Sequence, residues 1–380
     1  MRIAIYGAGK CGEYIYKEIK MCRNSKIECS LFIDNNPDYY RGRKYDKPVV
    51  KLDCFINSYR KSVDYVFIAV SDMFVAQDMV VSLLNNDYDS IYLMPEWIWE
   101  ARLPVLNVNG NFRSYIKNYN FFKPSLRYLE YHVSDYCNLK CKRCGHYSNL
   151  VTEKIFPNIG EFQESLNGLS KKFKNIRTFR LMGGEPFVNP DMDLYIYKVR
   201  DIFPYADIRI VSNGLLFPKV NERTVNSIKE CGAIIDISQY PPTRDKIEDI
   251  LEFLDENQLK YTIGREVKQF FSQLSENGSE NLEKSFSNCC SKTCHFLRRN
   301  RLHPCPSVAL TYENKEFLNL DISEEIVFKN SFDLINGKES GWEMLKKMFS
   351  PNDFCGYCTD IKWYKWSISK DIKKEDYFVI

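Results

Sequence analysis

The sequence predicts an α/β protein built in two successive parts, and three observations carry that expectation. The N-terminus reads strand, glycine turn, helix. From Tyr128 onward, strand-like runs alternate with segments of helical periodicity. Nine of the fourteen cysteines fall into three groups from Cys137 onward. A chain of 380 residues is long enough for two domains, each with its own core.

In the first part, the apolar run of residues 2 to 6 meets Gly7-Ala8-Gly9-Lys10-Cys11-Gly12, and helical spacing follows from Glu13 to Met21. A second strand, Ile27 to Ile33, ends in Asp34, about 20 residues beyond the last glycine. Asp64 to Val70 and Ser90 to Met94 read as further buried strands. Residues 1–100 are thus expected to form a small Rossmann-like, doubly wound domain whose helix N-terminus suits a phosphate, with Gly7, Gly9, Gly12 and Asp34 as contacts. The domain looks short for a six-stranded dinucleotide fold. Phe32-Ile33-Asp34-Asn35-Asn36-Pro37 resembles the N-terminal domains of sugar-modifying transferases in surface-polysaccharide pathways, which implies a nucleotide-sugar ligand. The bland alternative is a degenerate docking domain whose glycines only close a turn.

Residues 101–125 lose periodicity around Pro104, Gly110, Asn111 and Pro124 and read as a linker. Strands are then expected at Tyr128–Asp135, Thr178–Met182, Ile208–Ser212, Ile234–Ser238 and Tyr261–Ile263. Helices are expected at Glu161–Phe173, Asp191–Ile202, Glu222–Glu230 and Asp245–Asn257. This βα order implies parallel strands joined by right-handed crossovers. Cys137, Gly184, Asn213 and Gln239 all fall at C-terminal strand ends, where parallel barrels keep their chemistry.

The first strand of this series runs into Cys137-Asn138-Leu139-Lys140-Cys141-Lys142-Arg143-Cys144. Three thiolates are an informative number, because structural zinc sites and electron-transfer clusters close their shells with four protein ligands. A cubane on three cysteines leaves one iron open. Half of a zinc ribbon is the alternative, but Cys231 stands alone and supplies no second knuckle. Cys11, Cys22, Cys29, Cys54 and Cys231 read as small core residues.

With Gly183-Gly184-Glu185-Pro186 on the next strand, this cysteine loop resembles the radical S-adenosylmethionine (SAM) superfamily over residues 125 to 365. The resemblance implies a partial (β/α)6 TIM-type barrel over 126–285, a 4Fe-4S cluster on Cys137, Cys141 and Cys144, and SAM on its open iron. It further implies that Gly183 and Gly184 let the backbone approach the SAM amino group, with Glu185 and Pro186 beside it. Ser212 and Asn213 become candidates for the ribose, with a plain turn as the alternative for Asn213. The chain departs from the family where an aromatic residue usually precedes the third cysteine. Here that residue is Arg143, so Arg143, His146 or Tyr147 is left to meet the adenine.

Downstream, Cys289, Cys290, Cys294 and Cys305 flank an Arg299-Asn300 turn, and Cys355-Gly356-Tyr357-Cys358 follows. A two-residue hairpin there would put Cys294 across from Cys305. The set resembles the auxiliary-cluster (twitch, or SPASM-like) subdomain of several radical SAM enzymes. That resemblance implies a second 4Fe-4S cluster within residues 286–380 on Cys294, Cys305, Cys355 and Cys358. Cys290 remains open in place of Cys294, and zinc in place of the cluster. A fully ligated second cluster suits oxidation of a substrate radical, whereas a hydrogen atom returned by Cys289 or Cys290 would give epimerisation.

Lys plus Arg at 53 against Asp plus Glu at 50 argues against a nucleic-acid surface, and no apolar run reaches the length of a membrane span. The N-terminus lacks a signal peptide, and the expected location is cytoplasmic. The resemblances together imply a small-molecule substrate, a sugar or nucleotide-sugar, and a flavodoxin- or ferredoxin-type electron donor. A peptide maturase is the second reading and a non-catalytic iron–sulfur sensor the third; the intact Gly183-Gly184-Glu185-Pro186 run weighs against a sensor.

Overall fold

The computed structural model describes residues 1–21, 27–93, 117–279 and 281–380. Cys22, Met94 and the 101–116 stretch of the expected linker lie outside them. The chain divides into two compact units, Met1–Lys123 and Pro124–Ile380.

The first unit holds β1 (Arg2–Tyr6), β2 (Glu28–Ile33), β3 (Arg43–Lys44), β4 (Lys47–Val50), β5 (Tyr65–Ile68), β6 (Ile91–Leu93) and β7 (Lys117–Asn118) in one sheet of order β3-β4-β2-β1-β5-β6-β7. The central five are parallel, and β3 and β7 add antiparallel edges. Every expected strand is present within a few residues. β3 and β4 were not foreseen, because their hairpin turns on Tyr45 and Asp46, both at positive φ, where Asn-Gly is the usual signal. Ile3, Ile5, Phe32, Val49 and Phe67 form the buried layer between sheet and helix Lys10–Met21.

The second unit is built on β8 (Leu126–Ser134), β9 (Ile176–Gly183), β10 (Asp207–Ser212), β11 (Ile234–Gln239) and β12 (Tyr261–Glu266). They are separated by helices Ile159–Lys172, Met192–Ile202, Glu222–Glu230 and Ile247–Glu256. These helices fall where helical periodicity was expected, each with a polar outer face. Asn158 and Asn221 cap the first and third by accepting amide N–H bonds, which fixes where those helices start. β13 (Gln269–Leu274) pairs antiparallel with β17 (Cys358–Lys365) in a separate ribbon.

β14 (Phe296–Arg298) and β15 (Arg301–His303) flank the Arg299-Asn300 turn, whose two residues both have positive φ. β14 joins β8 in parallel, and β16 (Phe332–Asp333) pairs with β15. The sheet order is β12-β11-β10-β9-β8-β14-β15-β16, so six neighbouring strands are parallel. The hairpin, expected as part of a separate C-terminal subdomain, therefore supplies the sixth parallel strand of the main sheet. Among the described residues no helix is long and apolar enough to cross a membrane.

Candidate active site

β8 delivers the cysteine loop. Cys137 and Cys141 are buried and Cys144 half-buried, and all three line one cavity of about 290 Å³ with Gly183, Gly184, Ser212, Asn213 and Tyr240. Burial pushes the Cys137 and Cys141 thiols up to about 12, so metal binding at this site releases protons. The buried indole N–H of Trp366 has no hydrogen-bond partner, and it lies close enough to Cys141 to favour the thiolate. Backbone bonds from Lys142 N–H to Ser367 and from Ser369 N–H to Lys140 hold the C-terminal segment against the loop.

These residues fit a cubane. Among the described residues no three His, Cys, Asp or Glu side chains converge tightly enough for a single ion. The thiolates of a cubane each take a different iron, so they stand farther apart than the ligands of one zinc. Three cysteines line one roomy cavity that no fourth cysteine lines, and a cubane held by three thiolates keeps one iron open to a further ligand.

Gly183 and Gly184 line the cavity, and backbone packing also requires glycine at both positions. Gly183 has φ +135, and a Cβ there would stand 2.0 Å from Ser134 O; a Cβ on Gly184 would stand 2.2 Å from Tyr136 O. The Gly184 N–H donates to Ser134 O at 2.7 Å and the Glu185 N–H to Tyr136 O at 2.9 Å. The need for glycine arises first from β9 pressing on the start of the cysteine loop. Glu185 is fully buried and points inward, away from the cavity lining. It accepts from Ser212 Oγ at 2.7 Å and from the Asn213 N–H at 2.9 Å, and burial raises its pKa to about 7. Pro186, also buried, starts a short 3-10 turn with Glu185 as its cap. Glu185 and Ser212 thus pin the end of β10, and Asn213, bonded through Nδ2 to Asn138 Oδ1, is left at the cavity wall.

Of the residues offered for an adenine, Tyr147 is placed elsewhere. Its ring stacks on Tyr377, its hydroxyl meets Thr311, and it does not line the cysteine cavity. Arg143 lines that cavity, but its guanidinium lies 3.5 Å from the Tyr364 ring centroid and donates to Ser272 Oγ and Asp376 O. His146 lines it too. Sequence reasoning missed what holds His146: His132, neutral with a pKa lowered by burial to about 4, donates Nδ1–H to Asp135 at 2.8 Å and accepts at Nε2 from His146 at 2.9 Å. Arg298 clamps Asp135 and Glu313, tying β14 to the end of β8.

The second thiol set also differs from expectation. Cys358 is pushed well above the ordinary thiol range by burial and by Cys305, Cys289 and Cys355, and Cys305 is raised to about 12 by burial with Cys289 and Cys355 as neighbours. Cys289, Cys305, Cys355 and Cys358 thus lie within electrostatic reach of one another, whereas Cys294 reaches only Cys289 of these four. The hairpin ladder ends at Phe296 opposite His303, and Cys294 sits in a turn that its N–H closes onto Ser291 O. Its charged and thiol neighbours are Glu130, Cys290, Arg180 and Cys289, and Cys290 is exposed. Cys289, expected as a spare thiol, is the one these interactions group with Cys305, Cys355 and Cys358.

In the first unit, Gly7 has φ +107 and a Cβ at Gly12 would stand 1.9 Å from Gly7 O, so both are needed by the turn. Gly9 faces open space. Asp34, read as a ribose contact, already accepts from the Ala8 N–H at 2.9 Å and the Asn36 N–H at 3.0 Å. Lys44, unnoticed in the sequence, donates to Ala8 O at 2.6 Å and brings a cation to the same turn.

Residues 131–261 match the family model described as the Radical SAM superfamily. A GTP 3',8-cyclase of Clostridium botulinum (strain Okra / Type B1) is 27% identical over 218 residues, which cover 55% of this chain and 65% of that protein. A GTP 3',8-cyclase of Petrotoga mobilis is 32% identical over 96 residues, covering 25% of this chain and 29% of that protein. The chain thus spans less than two thirds of these relatives' length. The solved structure of BtrN in complex with AdoMet and 2-DOIA matches 68% of this chain and 100% of its own at 15% identity, with a TM-score of 0.40.

Proposed function

We propose a function from one premise: this chain carries a radical SAM domain, matched over residues 131–261. Proteins of that superfamily hold a 4Fe-4S cluster and SAM, which together supply a 5'-deoxyadenosyl radical on reduction. Cys137, Cys141 and Cys144 would hold this cluster, and Asn213 with the Gly183-Gly184 backbone would border the SAM. Cys289, Cys305, Cys355 and Cys358 would hold the auxiliary one.

The proposed reaction is hydrogen abstraction from a small-molecule substrate, a sugar or nucleotide-sugar of surface-polysaccharide synthesis, leading to oxidation. The observation that carries it is a second cavity of about 270 Å³ that shares Arg143, Gly145, His146 and Phe271 with the cysteine cavity. Gln273 lines this second cavity, and its Oε1 stands 3.8 Å from Cys289 Sγ. A substrate seated there would lie between the two thiol sets, as an oxidation needs. Epimerisation is the second reading, favoured by Cys290 and Cys294 on the same cavity wall. In this reading the glycine turn of the first unit binds a nucleoside diphosphate group in its own right, and a flavodoxin- or ferredoxin-type protein supplies electrons.

The test is anaerobic reconstitution with excess reductant, SAM and a substrate panel of free sugars, UDP-, GDP- and CDP-sugars, a short cysteine- or serine-containing peptide, and GTP. Methionine and 5'-deoxyadenosine formed together with an oxidised or inverted sugar support the reading. Turnover with the peptide alone would make the protein a maturase. Turnover with GTP alone would align it with the proteins named GTP 3',8-cyclase.

A further inference from the structure

We infer that the cavity of about 270 Å³ seats the substrate ring and that Glu130 binds an ammonium group on it, so that an amino sugar or amino-polyol of one ring is the chemical class taken. This rests on the carbohydrate reading above and narrows it.

Glu130 lies on β8, is 5% exposed, and lines the cavity. The Tyr128 hydroxyl donates to Oε1 and fixes the carboxylate, while Oε2 has no partner at all. Arg180, directly opposite on β9, turns one terminal nitrogen to Asp236 at 3.3 Å and leaves its own Nε–H without a partner, and Arg298 is taken by Asp135 and Glu313; neither forms an ion pair with Glu130. A buried carboxylate with an idle oxygen is costly to keep. Its position on a cavity wall gives it a use. An ammonium supplies the missing charge and up to three N–H donors, whereas a sugar hydroxyl supplies one donor and no charge.

The rest of the wall suits the remainder of such a ring. Gln273, Ser272 and Ser307 offer polar atoms, and Phe271 and Leu274 offer an apolar face. The volume lies just below the roughly 300–1,000 Å³ of pockets for drug-sized ligands, which leaves room for one ring and none for an attached nucleoside diphosphate.

Calorimetry on the reconstituted, SAM-loaded full chain tests this with glucosamine, galactosamine and mannosamine, each against its N-acetyl counterpart. At least one free amine should bind tenfold or more tightly than its acetylated partner, and Glu130→Gln should abolish the preference. Equal binding within every pair, or a preference that survives Glu130→Gln, overturns the role of Glu130 and leaves the carbohydrate reading standing. Binding of no sugar in either form overturns both. Iron content and SAM binding report whether the variant is folded. If it does not assemble, Tyr128→Phe takes its place: a several-fold loss of the preference supports the inference, and an unchanged preference overturns it.

Discussion

The glycine turn after β1 and the Gly183-Gly184 turn after β9 stand at the same ends of two parallel sheets, yet their polar groups are satisfied differently. After β1, the Asp34 carboxylate takes the Ala8 and Asn36 amides and Lys44 takes the Ala8 carbonyl, so both polar atoms of Ala8 are satisfied within the protein. After β9 the backbone is equally well bonded, but the side chains around it are not. Three thiols and Glu130 Oε2 line two adjoining cavities without protein partners to match. The contrast teaches that a glycine motif marks where chain must pack closely, whereas unpartnered side chains mark where a ligand is awaited.

The largest effects should come from the thiols. Anaerobically prepared protein should bind about eight irons, as two 4Fe-4S clusters. Changing Cys137, Cys141 and Cys144 together to Ala should remove about half of this iron and all conversion of SAM to 5'-deoxyadenosine. Iron at or below about four per chain, with zinc present, would sink the auxiliary cluster.

Next in size is the contrast between Cys289 and Cys294. Cys289→Ala should cost about four irons, the auxiliary set, while Cys294→Ala should cost none, because Cys289 is within electrostatic reach of Cys305, Cys355 and Cys358 and Cys294 is not. Iron analysis with Mössbauer spectroscopy reads both. The opposite pattern would restore the pairing expected from the hairpin.

That reversal shows what was legible in the sequence and what was not. β1, β2, β5 and β8 to β12 declare themselves by short apolar runs between turn residues, and the helices by their 3.6-residue stripes. The hairpin around Arg299 and Asn300 was legible from its two turn residues, but a turn signal does not say how far the ladder runs. It stops at Phe296, and Cys294 leaves the strand. Glu130 gave no signal, because an acid in a strand reads as solvent-facing until the sheet curls and both faces of β8 are buried. The grouping of Cys289 with Cys305 and Cys355-Gly356-Tyr357-Cys358 is a long-range contact that spacing alone leaves undetermined.

The two units should also part company in acid. All four histidines belong to the second unit, His132, His295 and His303 buried and His146 half-buried, and all have lowered pKa values, His132 and His295 at about 4 and His303 at about 3. Between those values and the unfolded value near 6.5, the unfolded state holds protons that the native state lacks, so stability is lost as pH falls. Each shift from 6.5 to 4 is worth about 3 kcal/mol. Glu185 works the other way: its native pKa of about 7 means that the folded state holds the extra proton between about 4.5 and 7. Three shifted histidines outweigh one such carboxyl. Hydrogen exchange read by mass spectrometry, corrected for intrinsic rates, should show β8 and β9 losing protection between pH 7 and pH 5 while β1 and β2 keep theirs. Equal loss in both units would break the distinction.

The smallest effects belong to the first glycine turn, where three substitutions separate packing from binding. At Gly12 a Cβ would stand 1.9 Å from Gly7 O, so Gly12→Ala should push the helix off the sheet and destabilise the first unit by roughly 1–3 kcal/mol, the usual cost of overpacking. At Gly9 a Cβ meets nothing, so Gly9→Ala should change stability by no more than about 0.5 kcal/mol. A nucleoside diphosphate lying across the turn would occupy that open space. Gly9→Val should then abolish its binding to the full chain, measured by calorimetry against UDP- and GDP-sugars and NAD, while melting stays nearly unchanged. Asp34→Ala removes the acceptor for the Ala8 and Asn36 amides and should weaken the turn by about 1–3 kcal/mol. If Asp34 also meets a ribose, the nucleotide affinity should fall by more than the loss of stability accounts for. If no nucleotide binds the parent protein, Asp34 and Lys44 serve only to hold the turn, and the first unit is a docking module whose glycines serve packing alone.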